Sequence, residues 1–200
     1  MRGVVKAIWL GNCARTVEGI DISAGMLGAA QAAEQAHPPG ITFALANVVD
    51  LSRFPDAAFD LVLAVAVLNY LTLADTVTAL RESWRVLQPG GRLVFAVPHP
   101  ALPFLQSPVP PLFFDRGACG YFSGRDRELH GRMRRRDGRA VPVHCVHKTL
   151  VDYIRALMHA GFTTMPDVHE LGVTDEHLRL NASNERLRCP WCSIRLRPVI

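Results

Sequence analysis

The chain has 200 residues, enough for one domain with a sizeable core, with or without a small insert. A hydrophobic share of 49% and a charged share of 20% are ordinary for a soluble globular protein. No apolar run reaches the ~18–20 residues that cross a bilayer, which argues against a membrane protein. No small-residue cleavage pattern follows the N-terminus, so we expect a cytoplasmic protein.

The cysteines and the net charge narrow the class further. The five cysteines are an odd number and widely scattered, which argues against a secreted disulfide framework and for reduced thiols. The formal net charge is +4, and Arg125–Arg139 alone holds seven arginines against three acidic residues. The basic excess therefore lies in one segment, and the rest of the chain is balanced.

Two predicted strands open the chain, Val4–Leu10 and Val17–Ile20, with only the six residues Gly11–Thr16 between them. Neighbouring parallel strands need a crossover of about a dozen residues or more. Two interpretations follow. Either Val4–Leu10 lies elsewhere, for example antiparallel, or the chain lacks a complete first βα unit.

Asp21, at the end of the second strand, is followed by Ser23, which is predicted to cap a helix over Ala24–Ala36. Ile41–Leu45 is the next predicted strand, and Asn47 follows its end. Short polar side chains therefore come directly after two successive strands.

The middle of the chain predicts a strand, a helix and another strand. Phe59–Leu68 is a nearly unbroken apolar run, typical of a strand buried on both faces. Ala74–Leu87 has apolar residues at helical spacing, and Pro89-Gly90-Gly91 is predicted to stop this helix before a strand over Leu93–Val97. Such a unit is parallel and right-handed.

Ala101–Val146 is predicted to be an insert within a single domain that covers residues 1–200. It is rich in aromatic residues, as expected of a lid over a flat, apolar substrate, and then turns basic. The Arg-rich part, Arg125–Arg139, either binds RNA phosphate or forms a solvated hairpin or loop. We favour the hairpin, because the segment lacks interleaved aromatics, and we expect no nucleic-acid partner.

The C-terminal part predicts a helix over His147–Ala160, ended by Gly161, and an antiparallel pair of strands over Thr163–Glu170 and Cys192–Arg197. The motif Cys189-Pro190-Trp191-Cys192 suggests redox chemistry or half a zinc site. We favour a packing role, because no second such motif exists and no helix follows. His144, Cys145 and His147 have poor spacing for zinc, so no metal site is predicted.

Three motifs carry a resemblance to a known family: Asp21-Ile22-Ser23, then FPDAAFDLVLAVAVLNYL, then RVLQPGGRLVF. In this order and spacing the chain resembles a class I S-adenosylmethionine-dependent methyltransferase, well over Val17–Pro100 and more loosely over Lys148–Arg197. The resemblance implies an α/β Rossmann-like three-layer sandwich with a mostly parallel sheet and an antiparallel C-terminal hairpin. The family's glycine-rich loop has no counterpart here.

The resemblance also implies the cofactor, S-adenosylmethionine, and residues that contact it. Asp21 and Ile22 correspond to the ribose-binding position, Asn47 and Val48 to the adenine-binding position, and Ala64 to a position near the sulfonium.

His99 directly follows the strand over Leu93–Val97, and His147 opens the last helix, so both are candidate general bases. We expect His99 to matter more for the chemistry, because the sheet itself fixes its position. The expected function is methyl transfer to oxygen or nitrogen of a small-molecule substrate. Two alternatives stay open: an RNA methyltransferase that uses Arg125–Arg139, and a non-catalytic relic or partner subunit without the first βα unit. The sequence predicts neither the acceptor nor the oligomeric state.

Overall fold

The computed structural model describes residues 16–36, 40–105, 112–135, 137–171 and 191–196. The predicted strand Val4–Leu10 and Cys189 lie outside these residues. The chain divides into two compact units, Met1–Pro55 and Asp56–Ile200. The prediction of a single domain with a lid stays a prediction, and each unit is described by itself.

The first unit contains two parallel strands joined by a helix. β1 is Val17–Asp21, α1 is Ala24–Ala36 and β2 is Ile41–Leu45. The strands pair in register from Val17 with Ile41 to Asp21 with Leu45. All three elements confirm the predicted bounds to within one residue.

Side chains fix both ends of α1. The Ser23 hydroxyl accepts a hydrogen bond from the Met26 amide at 3.3 Å, as expected of an N-cap. At the other end Glu34 Oε1 accepts from the amides of Gly40 and Ile41, each at 2.8 Å. These bonds hold the start of β2 against the last turn of the helix.

The second unit has a four-stranded sheet of order β3-β4-β9-β8, in which β8 is Asp167–Leu171 and β9 is Trp191–Leu196. β3 is Phe59–Val65, α2 is Leu73–Val86 and β4 is Leu87–Pro98. β3 and β4 are parallel, which confirms the predicted unit.

The predicted helix bounds, Ala74–Leu87, are confirmed to within one residue, but the predicted start of the next strand at Leu93 is wrong. α2 ends at Val86, and Leu87 already pairs with Phe59, so the proline and both glycines lie inside β4. The register shifts between Phe59 and Leu61, which marks a bulge. A bulge accommodates the proline that lacks an N–H, and Gly90 there adopts a φ of +77°.

The prediction that β3 is buried on both faces is also wrong. Leu61 and Leu63 are 38% and 37% exposed. Among the described residues β3 pairs with β4 alone, so it is an edge strand there. β4, bonded to β3 and β9, carries the core instead: Leu93, Phe95 and Val97 are fully buried.

The last elements are α3, Leu150–Ala160, then β8, Asp167–Leu171, and β9, Trp191–Leu196. β9 lies antiparallel between β4 and β8. This confirms the antiparallel C-terminal hairpin and, with the parallel pairs, the Rossmann-like α/β class. α3 begins three residues later than predicted, because Thr149 rather than an earlier residue caps it.

The insert forms a sheet of its own, in the order β5-β6-β7, with all pairs antiparallel. β5 is Leu112–Phe114, β6 is Glu128–Arg134 and β7 is Ala140–Val146. The described arginines of this segment are exposed, in accord with a solvated hairpin: Arg125, Arg127, Arg132, Arg134, Arg135 and Arg139. Within the described ranges no helix is long and apolar enough to cross a bilayer.

Candidate functional site

A small pocket of about 30 Å³ lies at the carboxyl end of β4 in the second unit. Pro98, His99 and Pro100 line it where β4 ends, and His147 and Lys148 line it just before α3. Ligands in open α/β sheets bind at the carboxyl ends of strands. The structure therefore brings both predicted bases, His99 and His147, to one pocket.

His99 is half-buried, and the turn that follows it fixes its ring. The Ala101 amide donates to His99 Nδ1 at 3.2 Å, and the Leu102 amide donates to the His99 carbonyl at 2.8 Å. Because Nδ1 accepts, the neutral ring carries its proton on Nε2. His99 is therefore arranged to donate a hydrogen bond from Nε2.

His147 is 3% exposed and has the opposite arrangement. Its Nε2 lies 2.8 Å from the Tyr121 carbonyl, which can only accept, so Nε2 carries the proton and Nδ1 keeps its lone pair. The Phe104 ring packs edge-on against the imidazole with centroids 4.7 Å apart. Burial lowers the pKa of His147, which keeps the ring neutral and able to accept a proton near pH 7.

Lys148 is a buried cation at the same pocket, 2% exposed. Its Nζ donates to the carbonyls of Leu71 and Val146. Burial lowers the pKa of Lys148 to about 8, so a measurable fraction of the amine is neutral at mildly alkaline pH. The sequence pattern placed Lys148 inside the predicted helix His147–Ala160, whereas it lies before α3.

Asp152 anchors this region from the first turn of α3. Its carboxylate accepts from the Thr149 amide at 2.8 Å and the Thr149 hydroxyl at 2.7 Å, and it forms an ion pair with Arg125. Burial alone would raise the pKa of Asp152, but the hydrogen bonds from Arg125 and Thr149 outweigh it and hold the pKa below its usual value. The carboxylate thus stays ionised and ties the insert to the helix.

Asn69 is a pocket residue that the sequence analysis missed. It is 7% exposed and lies in the short 3-10 turn Leu68–Tyr70 that follows β3. Among the described residues its Oδ1 has no hydrogen-bond partner. The available signal was the single Asn within the apolar run from Leu61 to Leu71.

Cys145 also lines the pocket, and burial raises the pKa of its thiol to about 11. Such a thiol is protonated at neutral pH and unreactive. The neighbouring His144 packs instead against Tyr70, with ring centroids 5.2 Å apart. The described residues contain no cluster of three His, Cys, Asp or Glu side chains able to hold a metal.

In the first unit, four of the five predicted cofactor residues lie at the carboxyl ends of β1 and β2. Asp21 ends β1 and Asn47 follows β2, and the Ala46 amide donates to the Asp21 carbonyl at 3.1 Å. Ile22 is 70% exposed beside Asp21, and Val48 is half-buried beside Asn47. The unit therefore brings Asp21, Ile22, Asn47 and Val48 to neighbouring strand ends.

Hydrogen bonds within the unit leave the Asp21 and Asn47 side chains with different capacities to accept a hydrogen bond from a ligand. Asp21 Oδ1 accepts from the Ser23 amide at 2.8 Å, which orients the carboxylate while its second oxygen keeps acceptor capacity. Asn47 Oδ1 accepts from the Val49 amide at 3.2 Å within its own turn. The arrangement fits a ligand with hydroxyl donors near Asp21 and an apolar ring near Ile22.

Ala64, in contrast, does not end its strand. It lies inside β3 opposite Phe95, one residue before the strand ends at Val65. Ala66, the first residue after the strand, has a φ of +55°, and its amide donates to the Ala96 carbonyl at 2.8 Å. A positive φ at a residue other than glycine is uncommon and is often found at functional sites.

A family model described as a methyltransferase domain matches residues 3–95. The probable methyltransferase ltbC of Aspergillus luteorubrus is 41% identical over 86 residues, which are 40% of this chain and 30% of that protein. Demethylmenaquinone methyltransferase of Symbiobacterium thermophilum is 41% identical over 81 residues, 39% of this chain and 31% of that protein. The chain thus matches less than a third of the length of these curated relatives.

Among solved structures, an S-adenosylmethionine-dependent methyltransferase from Mesorhizobium loti is similar with a TM-score of 0.63 and 25% identity. The similarity covers 92% of this chain and 81% of that one. Together these matches confirm the resemblance to class I S-adenosylmethionine-dependent methyltransferases and the Rossmann-like fold.

Proposed function

From this methyltransferase match and fold, we propose that the protein transfers a methyl group from S-adenosylmethionine to oxygen or nitrogen of a small molecule. The observation that carries the proposal is the meeting of His99 and His147 at one apolar pocket. The methyl group of the sulfonium cofactor is already activated, so the protein has to bind, align and deprotonate the acceptor.

For the cofactor, Asp21, Ile22, Asn47 and Val48 are the residues that would hold the adenosine part. A carboxylate at a strand end can accept from ribose hydroxyls, and the exposed Ile22 side chain offers an apolar surface to adenine. Asn47 already bonds to Val49 within its turn, so it contributes less than Asp21. Ala64, one residue before the end of β3, remains the residue proposed to lie near the sulfonium.

For the acceptor, the two histidines have complementary roles. His147 Nδ1 accepts the proton of the acceptor hydroxyl or amine, because Nε2 is committed to the Tyr121 carbonyl. His99 Nε2 donates a hydrogen bond that orients the acceptor, because Nδ1 is committed to the Ala101 amide. The sequence alone favoured His99 as the base, whereas these hydrogen bonds favour His147.

Calorimetric titration with S-adenosylmethionine, its demethylated product and adenosine tests the donor part. Because no glycine-rich loop was found in the sequence, we expect adenosine to bind with an affinity comparable to that of S-adenosylmethionine, and Asp21→Ala to weaken both. Glu18→Ala, an exposed acidic residue three positions earlier on the same strand, is the matched control. Absence of any donor binding would contradict the proposal and favour a non-catalytic partner subunit.

A further inference from the structure

Asn69 presents an unusual polar group in the pocket. Asn69 is only 7% exposed, yet its Oδ1 has no hydrogen-bond donor among the described residues. A buried acceptor without a partner is costly, and native proteins contain few. Such an atom calls for a donor other than those that the described residues supply.

Two polar neighbours of Asn69 in the pocket, His147 and Lys148, donate to other groups, and His99 and Tyr153 also line it. Lys148 Nζ donates to two backbone carbonyls, and His147 Nε2 donates to a third. The rest of the lining is mostly apolar and includes Leu102 and Phe114. Asn69 is therefore a polar residue in a mostly apolar pocket of about 30 Å³.

We propose that Asn69 is a specificity-determining residue, whose Oδ1 accepts a hydrogen bond from the hydroxyl or N–H of a flat aromatic acceptor. This proposal rests on the proposed function only in taking the bound ring to be the methyl acceptor. The preference of the pocket for a ring with a donor group does not depend on methyl transfer. The apolar residues pack on the ring, and Oδ1 selects rings that carry a donor. A site built around such a bond rejects analogues without it.

The proposal also explains why a costly group is kept. If Asn69 served folding, its acceptor would be paired within the protein. An unpaired acceptor instead destabilises the free protein and gains its partner on binding, so an apolar residue of similar shape should be tolerated by the fold.

Phenol and anisole are matched probes, since methylation removes the hydroxyl donor of phenol. Titrating each into the full chain, with chemical shifts as the readout, we expect wild type to bind phenol about 3–10-fold more tightly. Asn69→Leu should abolish this preference, and Asn69→Asp, which keeps an acceptor oxygen, should retain it. If Asn69→Leu keeps the preference, or if wild type binds neither probe at millimolar concentration, the proposal is wrong.

Thermal unfolding separates recognition from folding. Thr76 is a matched buried residue whose hydroxyl is paired, donating to the Thr72 carbonyl at 2.7 Å. Thr76→Val should lower the melting temperature by about 2–4 °C and leave phenol binding unchanged. Asn69→Leu should not lower it; a fall as large as that of Thr76→Val would show a structural role and overturn the proposal. Neither experiment requires S-adenosylmethionine, so failure here and failure of donor binding are distinct results.

Discussion

Lys148 holds an ammonium group at 2% exposure between two backbone carbonyls. Burial lowers the pKa of Lys148 from 10.5 in a free side chain to about 8. Between these values the unfolded chain binds a proton that the folded chain has released. The free energy of unfolding therefore rises with pH in this window, by at most about 1.4 kcal/mol per pH unit for one group.

The first prediction is that stability to denaturant rises between pH 8 and 9 in wild type and that Lys148→Met removes this rise. Methionine keeps the chain length without the charge, although it leaves the Leu71 and Val146 carbonyls without their donor. The slope with pH, rather than the absolute stability, is the measurement. An unchanged slope in Lys148→Met would show that other groups cause it.

Cys145 acts in the opposite direction at higher pH. Burial raises the pKa of its thiol from 9.0 to about 11, so between these values the unfolded chain has lost a proton that the folded chain keeps. The free energy of unfolding falls with pH over that window. The rise from Lys148 should therefore level off above about pH 9 and reverse above about pH 10.5.

The second prediction is that Cys145→Ala removes this levelling, so that stability continues to rise towards pH 10.5. Cys119→Ala is the control, because Cys119 is only half-buried. Equal pH profiles for the two variants would contradict the assignment. Denaturant unfolding under reducing conditions measures both.

At the scale of elements, α2 and α3 begin with the same device. Each has a threonine N-cap and an aspartate three residues later, Thr72 with Asp75 and Thr149 with Asp152. The Thr72 hydroxyl contacts the Asp75 carboxylate at 2.9 Å at an exposed position. Asp152 is 3% exposed and also pairs with Arg125.

The third prediction compares these caps. Asp75→Ala should lower the free energy of unfolding by under about 1 kcal/mol, because the lost contacts are exposed to solvent. Asp152→Ala should lower it by about 2–4 kcal/mol, because it removes a buried cap and leaves Arg125 without its partner. Urea unfolding of the two variants measures the difference, and equal losses would contradict the buried pair.

The fourth prediction concerns the sheet of the insert. A Cβ at Gly131 in β6 would lie 2.3 Å from the Phe113 carbonyl oxygen, a distance that no real contact allows. Gly131→Ala should therefore separate β5 from β6 and speed amide exchange over Leu112–Phe114. Gly28→Ala in α1 is the control, since nothing lies within 4 Å of its added Cβ. Unchanged exchange in Gly131→Ala would show that β5 does not depend on this approach.

Element bounds show what periodicity can and cannot predict. α1 and β2 were predicted correctly because a cap, an apolar repeat and a glycine agree on their ends. The bounds of β4 were missed, because Pro89-Gly90-Gly91 looks the same in sequence whether it ends a helix or forms a bulge. Pairing with β3 across the sheet decides between these two, and pairing is not a local property.

At the scale of the whole molecule, the local sequence pattern predicted the strand ends that carry Asp21, Asn47 and His99, because strand ends depend on neighbouring residues in the sequence. It did not predict the buried state of Asn69 or Lys148. Their burial depends on residues far apart in sequence that cover them, such as Leu71, whose carbonyl accepts from Lys148. The burial of these two polar pocket residues could therefore be recognised only from the structure.

The two units differ in how much apolar surface they bury, which leads to the last prediction. Among the described residues of the first unit, four apolar side chains are buried, Leu27, Ala30, Ile41 and Leu51. In the described part of this unit the sheet has two strands, and a two-stranded sheet is marginally stable without further packing. In the second unit β4 is bonded on both edges and carries three fully buried side chains.

Amides of β1 and β2 should therefore exchange with solvent faster than those of β4, because local opening needs less free energy where less apolar surface is buried. Hydrogen exchange of the full chain, followed peptide by peptide, measures this. Saturating S-adenosylmethionine should slow exchange around Asp21 and Asn47, since a ligand stabilises the folded state it binds. Equal protection of β1 and β4 in the free protein would contradict the energetic difference. Slower exchange around β4 alone on adding the cofactor would contradict the assignment of its adenosine part to Asp21 and Asn47.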